Sequence, residues 1–489
     1  MIMEENRLQI VKDFVNGEFA DNIPGTEYKV FNPAFGKHIA SVNGAEKDRV
    51  DTAVEFANEA FNKWSTTPIT ERLKYLFKLV SLMSEEIDDI AEIITIEHGK
   101  TFQESKGEVM RAIENIQSAC SSTYHIMGRN NKNIAYGIDE ELFRTPIGVF
   151  AVIAPFNFPI MIPFWFVPYA VGLGNTIVVK PSEKVPLTMQ MAARLIKRAG
   201  FPNGVISTVN GSAETVNAIL DNKHVAGVSF IGSPRAGRYV YQKATSQHKR
   251  AQAGTSAKNY ELVLPDAKLG SAIGNLISSF FGNTGQRCLA GSVLVTLPEN
   301  HDVVVKAFTK AAAKIKVGYG LDKAVTMGPL NRKDDLDRVE SYIEAGEHEG
   351  ARLLLDGRDV RPKKYPEGYF IGPSVFDEVN TNMKIVKEEI FGPVACIMQA
   401  EGLDDAIEKI NLSEYGNAST IFTTNGAHSN KFISEVKVGN VGVNVGVVAP
   451  IAFYPFGGLK DSFFGDLHAQ GGEDHIMFFT ERKVVVSRW

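Results

Sequence analysis

The sequence predicts an α/β fold of two units followed by a terminal strand, and three observations carry that expectation. From Gly148 to Gly232, short β-branched runs alternate with helical stretches. A second α/β alternation begins after Leu262. The chain then ends on a β-branched tail, TERKVVVSRW.

Taken in order, the N-terminal stretch MIMEENRLQIVKDFVNGEFADN is acidic and has no apolar core flanked by basic residues, so no signal peptide is expected. Ala45–Trp64 and Ile69–Lys100 carry apolar residues at helical spacing, Thr101–Met127 reads as a third helix, and the three are expected to wrap a sheet. The window Gly148–Lys180 is the most apolar, but four prolines and Asn157 interrupt it, so it reads as strand, loop, helix and strand instead of a membrane span. VFAVIA, TIVVK, GVISTV and VAGVSFIG read as buried parallel strands, with Leu187–Ala199 and Ala213–Asp221 as crossovers. Such a doubly wound unit binds ligands at the carboxyl ends of its strands. In the second unit, helices are expected near Leu269–Asn283, Asp302–Ile315 and Asp334–Gly350, with a boundary near Lys258. The terminal strand is either an internal edge strand or one lent to a neighbouring subunit, because an unpaired edge is a liability.

Composition narrows the class. With 489 residues, 44% of them hydrophobic, the chain can fill the cores of two or three domains. A net charge of −5 with no basic block argues against nucleic acid and against an anionic membrane. Three cysteines, Cys120, Cys288 and Cys396, suit a reducing compartment, so a soluble cytoplasmic protein is expected.

Several stretches carry candidate chemistry. The G-x-G at Gly172 and Gly174 precedes its strand, which is not the dinucleotide fingerprint. In SFIGSPRAGRYV a strand ends at Ile231, Gly232 and Ser233 turn, and a helix begins; a pyrophosphate could rest on that helix start. In VVKPSE, Lys180 and Glu183 lie at a strand end, where a glutamate can accept ribose hydroxyls and would repel a 2′-phosphate; a solvated loop is the alternative. Cys288 stands beside Arg287, whose charge favours thiolate, and among small residues that leave room for a substrate. A buried structural cysteine is the competing assignment, and the one expected for Cys120 and Cys396. Asn157, in APFNFP, could donate to an oxyanion or simply serve the turn before Pro159.

In their order and approximate spacing, APFNFP, VVKPSE, FIGS, GQRC and EEIFGPV resemble the aldehyde dehydrogenase superfamily over essentially the whole chain. Within it, GEVMRAIE, the SAKN loop, YPFGGLKDSFFGDLHA and the terminal RKVV resemble the methylmalonate-semialdehyde dehydrogenase branch. The resemblance implies a Rossmann-type NAD-binding domain (1–127 and 146–257), an α/β catalytic domain (258–455) and a small β oligomerisation arm with bridging segments (128–145 and 456–489). It implies Cys288 as nucleophile and Asn157, with the Cys288 N–H, as oxyanion hole. Phe156, Lys180, Glu183, Gly232, Ser233, Glu389 and Phe391 would then bind NAD, with NADP as the alternative, and Arg111 and Arg287 would grip a substrate carboxylate.

Hydrolytic members place a glutamate base where Gly254 stands here, so the resemblance further implies that a Cys288 thioester passes to coenzyme A. The expected substrate is malonate or methylmalonate semialdehyde, and the expected assembly a homodimer or homotetramer. One departure is Tyr260, where the branch usually has histidine. The competing expectations are a non-acylating dehydrogenase using another base, with Glu261 and His248 nearby, and an inactive NAD-binding protein. No metal is expected, since His468 and His475 lack a ligand spacing.

Overall fold

The structure is a computed structural model that describes residues 8–20 and 25–489. The N-terminal stretch read for a signal peptide therefore falls partly outside the described residues.

Val149–Ile153 and Thr176–Lys180 are buried at every position, as β-branched runs become when both faces of a sheet are covered. They lie in an eight-stranded sheet with the order Phe463–Phe464, Arg250–Gly254, Val225–Ile231, Val149–Ile153, Thr176–Lys180, Ile206–Thr208, Asp13–Val15, Glu18–Ala20. Its five central strands are parallel. The crossovers Leu187–Ala199 and Ala213–Asp221 have the bounds read from the sequence. From Val149–Ile153 in the middle the chain winds outward on one side, then returns to place Val225–Ile231 on the other. The order thus reverses between these two strands, and the crevice beyond their carboxyl ends is the ligand position of such a sheet. APFNFP and FIGS leave the sheet there.

A second, seven-stranded sheet takes the order Arg352–Leu355, Ser374–Asp377, Val394–Gln399, Gly291–Thr296, Asn259–Val263, Ala418–Phe422, Asn440–Val443. Only Arg352–Leu355 is antiparallel. The chain changes sheets between Gly254 and Asn259, within the loop AGTSAKN.

The stretch Ile69–Lys100 differs from its expectation, forming two helices, Ile69–Glu85 and Ile87–His98, that break at Glu86. Apolar spacing continues through the break, so periodicity alone does not reveal it. The helix Phe102–Cys120 starts on a capping box in which Thr101 and Glu104 satisfy each other's backbone N–H groups.

The terminal strand Thr480–Arg488 pairs antiparallel with Ile138–Pro146 of its own chain, which in turn pairs with Arg129–Ala135. Arg250 ties its base to the body, donating to the carbonyls of Met477 at 2.6 Å, Phe478 at 2.8 Å and Thr480 at 3.1 Å. The strand is the outer one of three and exposes Val484, Val486 and Trp489. Among the described residues no helix is long and apolar enough to cross a membrane. The apolar window instead contains the 12-residue helix Met161–Gly172.

Candidate active site

A cavity of about 290 Å³ has Cys288 in its wall. Glu104, Glu108, Arg111 and Asn115 line another side; their spacing puts all four on one face of the Phe102–Cys120 helix. Trp165 and Phe456 contribute apolar surface, their rings 5.1 Å apart.

The loop that leads to Cys288 is bent into an unusual turn. Asn283 (φ 52°, ψ 31°), Thr284 (φ 55°, ψ 33°) and Gly285 (φ 69°) are consecutive left-handed residues. That conformation costs a non-glycine residue about 1–2 kcal/mol, so neighbours must hold it. The Asn283 N–H donates to Glu104 Oε1 at 2.5 Å, and the Thr284 hydroxyl donates to the Gly328 carbonyl at 3.0 Å. Asn283 Nδ2 donates to the Gln286 carbonyl at 3.0 Å. Beyond the turn, the Cys288 carbonyl accepts from Asn259 Nδ2 and Asn417 Nδ2, each at 2.8 Å. The cysteine is therefore fixed from both sides.

Opposing influences act on the Cys288 thiol. Burial pushes the Cys288 thiol up to about 12, and the Glu389 charge pushes the same way. Arg287 and the N–H groups of Cys288 and Leu289 pull it down, but by less. Burial, which a linear sequence does not display, outweighs the neighbouring arginine. Cys120 and Cys396 are buried, and their thiols are also raised, chiefly by burial.

Asn157, just past the strand Val149–Ile153, is buried, and its Nδ2 donates to the Gln286 carbonyl at 3.2 Å. Its amide thus sits against the nucleophile loop. Arg111 and Arg287 both line the cavity. Arg111 pairs with Glu114 at 2.9 Å, and Arg287 Nη2 donates to the carbonyls of Ser278 and, at 3.2 Å, Ser279. Two buried donors of lining residues, Arg287 Nε and Trp165 Nε1, have no partner among the described residues.

The candidate bases stand elsewhere. A side chain at Gly254 would point at Ile231 Cδ1, 2.7 Å from the Cβ position. Glu261 lies on a core strand of the second sheet, its carboxyl raised well above the usual range by burial, and His248 is exposed. Neither lines the cavity. The two carboxylates that do are engaged: Glu104 in the capping box and with Asn283, Glu108 with Lys100 and with the N–H groups of Ile160 and Met161.

On the dinucleotide side, Lys180 pairs with Glu183 at 3.3 Å at the end of Thr176–Lys180. Ser233 is the exposed N-cap of Pro234–Ser246, and its side chain caps nothing, which leaves the helix start open to an anion. A Cβ on Gly232 would lie 2.6 Å from the Phe230 ring, and the Gly232 N–H donates to the Gly254 carbonyl at 3.0 Å. Phe156 stacks on His98 at 6.0 Å and meets Phe391 edge-on at 5.9 Å, with Lys184 Nζ 4.5 Å from its centre. Glu389 accepts the Ala257 N–H at 3.0 Å; it shares a narrow recess with Phe391, Lys258 and Arg287. These are the residues that would hold a dinucleotide. Among the described residues no cluster of three metal-ligating side chains occurs.

The sequence profile of the Aldehyde dehydrogenase family matches residues 19–485. The chain belongs to that family. It is 43% identical over 482 residues, 99% of either chain, to malonate-semialdehyde dehydrogenase 2 of Geobacillus kaustophilus (strain HTA426). The crystal structure of methylmalonate-semialdehyde dehydrogenase from Oceanimonas doudoroffii superposes with a TM-score of 0.97 at 37% identity, covering 99% of each chain. The NAD+ complex of an aldehyde dehydrogenase from Bacillus cereus superposes with a TM-score of 0.93 at 33% identity, covering 98% of this chain and 97% of that one.

Sequence reasoning passed over several residues that shape the site of this aldehyde dehydrogenase. Thr101-x-x-Glu104 was readable as a capping box, but its second contact, to Asn283, is not local. Lys100 and Trp165 look like ordinary helix and core residues until the cavity brings them together with Glu108 of GEVMRAIE. Asn259 stood inside the quoted SAKN motif, whereas Asn417 carried no signal.

Proposed function

We propose that this aldehyde dehydrogenase oxidises malonate or methylmalonate semialdehyde with NAD and passes the acyl group to coenzyme A. The observation that carries the proposal is the combination in one cavity of Cys288, two arginines and no unengaged carboxylate. The malonate- and methylmalonate-semialdehyde dehydrogenases among its relatives support it.

In this mechanism Arg111 and Arg287 bind the substrate carboxylate and present the aldehyde carbon to Cys288 Sγ. The Cys288 thiol gives its proton to solvent, with Arg287 and the N–H groups of Cys288 and Leu289 favouring the thiolate, and Sγ bonds to the aldehyde carbon as the C=O electron pair moves onto oxygen. Asn157 Nδ2 and the Cys288 N–H receive the developing oxyanion. When bound, NAD supplies the hydride acceptor. Lys180 and Glu183 would hold its adenosine ribose, Gly232 and Ser233 its pyrophosphate, and Phe156, Glu389 and Phe391 its nicotinamide half; the Glu183 carboxylate would disfavour NADP. With Glu104 and Glu108 engaged elsewhere, the resulting thioester on Cys288 persists until a stronger nucleophile than water arrives. Loss of carbon dioxide and attack by the coenzyme A thiol then give acetyl-CoA or propionyl-CoA and regenerate the cysteine thiol.

The nucleotide role belongs to residues 1–127 and 146–257 and the catalytic role to 258–455. Segments 128–145 and 456–489 bridge the units, and their strands Arg129–Ala135, Ile138–Pro146 and Thr480–Arg488 serve assembly into a homodimer or homotetramer through the exposed face of the three-stranded arm. The test is Cys288→Ala: NADH formation from malonate semialdehyde falls to background while NAD affinity by titration calorimetry is unchanged. Residual turnover in that variant would remove Cys288 from the mechanism.

A further inference from the structure

Asn157 is gripped from behind by a pair of charges that the mechanism above leaves unused. Lys100 Nζ donates to the Asn157 carbonyl at 2.6 Å and to Glu108 Oε2 at 2.7 Å, and it lies 4.2 Å from the centre of the Phe158 ring. The other oxygen of Glu108 accepts the N–H of Ile160 at 2.9 Å and of Met161 at 3.2 Å. Those two amides open the helix Met161–Gly172, whose N-cap Ile160 offers no side-chain acceptor. One carboxylate and one ammonium therefore fix the backbone at 157, 160 and 161 together.

Neither side chain of the pair is exposed at all. Desolvating two full charges is costly, and an apolar pair of similar volume fills a core as well or better. An apolar pair could not hold a carbonyl and two amides at once. Glu108 also belongs to the helix face from which Glu104 holds Asn283, so a single helix orients the strand-end loop and the nucleophile loop. The two loops meet where Asn157 Nδ2 and Asn283 Nδ2 donate to the same Gln286 carbonyl.

We propose that Lys100 and Glu108 are positioning residues for Asn157, holding its backbone so that the side-chain amide faces the oxyanion formed at Cys288. The proposal rests on the reading of Asn157 as oxyanion donor. A positioning role has a signature that a general structural role lacks: its effect vanishes once Asn157 has no amide to position.

The experiment is a double-mutant cycle on the full-length protein, reading the rate of the first NADH turnover with saturating NAD and malonate semialdehyde. Asn157→Ala is expected to slow this step on the order of 100-fold or more. Lys100→Met is expected to slow it on the order of 10- to 100-fold through misplacement, with NAD affinity and the apparent KM for the semialdehyde unchanged. The double variant is expected to be no slower than Asn157→Ala alone. A Lys100→Met protein at the wild-type rate, or a double variant that loses the product of both factors, overturns the proposal. Should Lys100→Met not fold, Glu108→Gln, which keeps an acceptor for Ile160 and Met161, enters the same cycle with the same expected non-additivity. If Asn157→Ala keeps the wild-type rate, the oxyanion reading itself fails and takes this proposal with it. Additive losses with a slow Asn157→Ala overturn the positioning role alone.

Discussion

Gly285, three residues before Cys288, is a position where one added methyl group should damage stability and activity together. It has φ 69°, and a Cβ there would lie 2.2 Å from the Gly392 oxygen, 2.4 Å from the Gly392 carbon and 3.0 Å from the Pro393 nitrogen. All three are backbone atoms, so no side chain can swing aside. For Gly285→Ala the left-handed conformation costs about 1–2 kcal/mol and the overpacking about 1–3 kcal/mol, together about 2–5 kcal/mol. At about 2–4 °C per kcal/mol for a unit of 150–250 residues, Tm should fall by roughly 4–20 °C. If the chain relieves the clash by moving the loop, Cys288 leaves its position, and the first NADH turnover should slow on the order of 100-fold. Thermal melting and single-turnover kinetics read the two losses. Gly270→Ala is the control, because a Cβ there meets nothing within 4 Å. A Gly285→Ala protein with the Tm and turnover of the wild type would show that the left-handed turn is not what presents the nucleophile.

Two further substitutions test the electrostatics and the missing base. Burial is the main cause of the raised Cys288 thiol, but the Glu389 charge adds to it, so Glu389→Gln should lower the thiol's pKa and speed alkylation by iodoacetamide at pH 8. Alkylation at or below the wild-type rate would contradict that sign. Gly254→Glu should raise the share of free acid among the products, since the nearest obstacle is the mobile end of Ile231; an unchanged product ratio in a folded variant would count against the role given to the empty loop.

The fold was legible where local pattern and global packing agree. The runs at Val149–Ile153 and Thr176–Lys180 are apolar at nearly every position because both faces are covered, and that pattern survives in one dimension. The tail's need for a partner was legible too, but not that Ile138–Pro146 supplies it, because pairing across more than 330 positions leaves no local trace. Of the candidate site, Cys288 and the motifs at strand ends stand out in the sequence, since turns and small residues mark them. Their electrostatics do not. Arg287 sits next to Cys288 in the chain, yet its guanidinium bonds the carbonyls of Ser278 and Ser279, and burial sets the thiol. Glu108 likewise reads as an acid on an amphipathic helix until Lys100 and Asn157 converge on it.

The central claim is that the Cys288 thioester waits for a thiol because no base in the cavity activates water. The measurement that tests it most directly is steady-state NADH formation from malonate semialdehyde with and without coenzyme A, with products identified by mass. Acylation by coenzyme A predicts that turnover depends strongly on the thiol and that acetyl-CoA accumulates with NADH in equal amounts. Equal turnover without coenzyme A, yielding free acid, would contradict it.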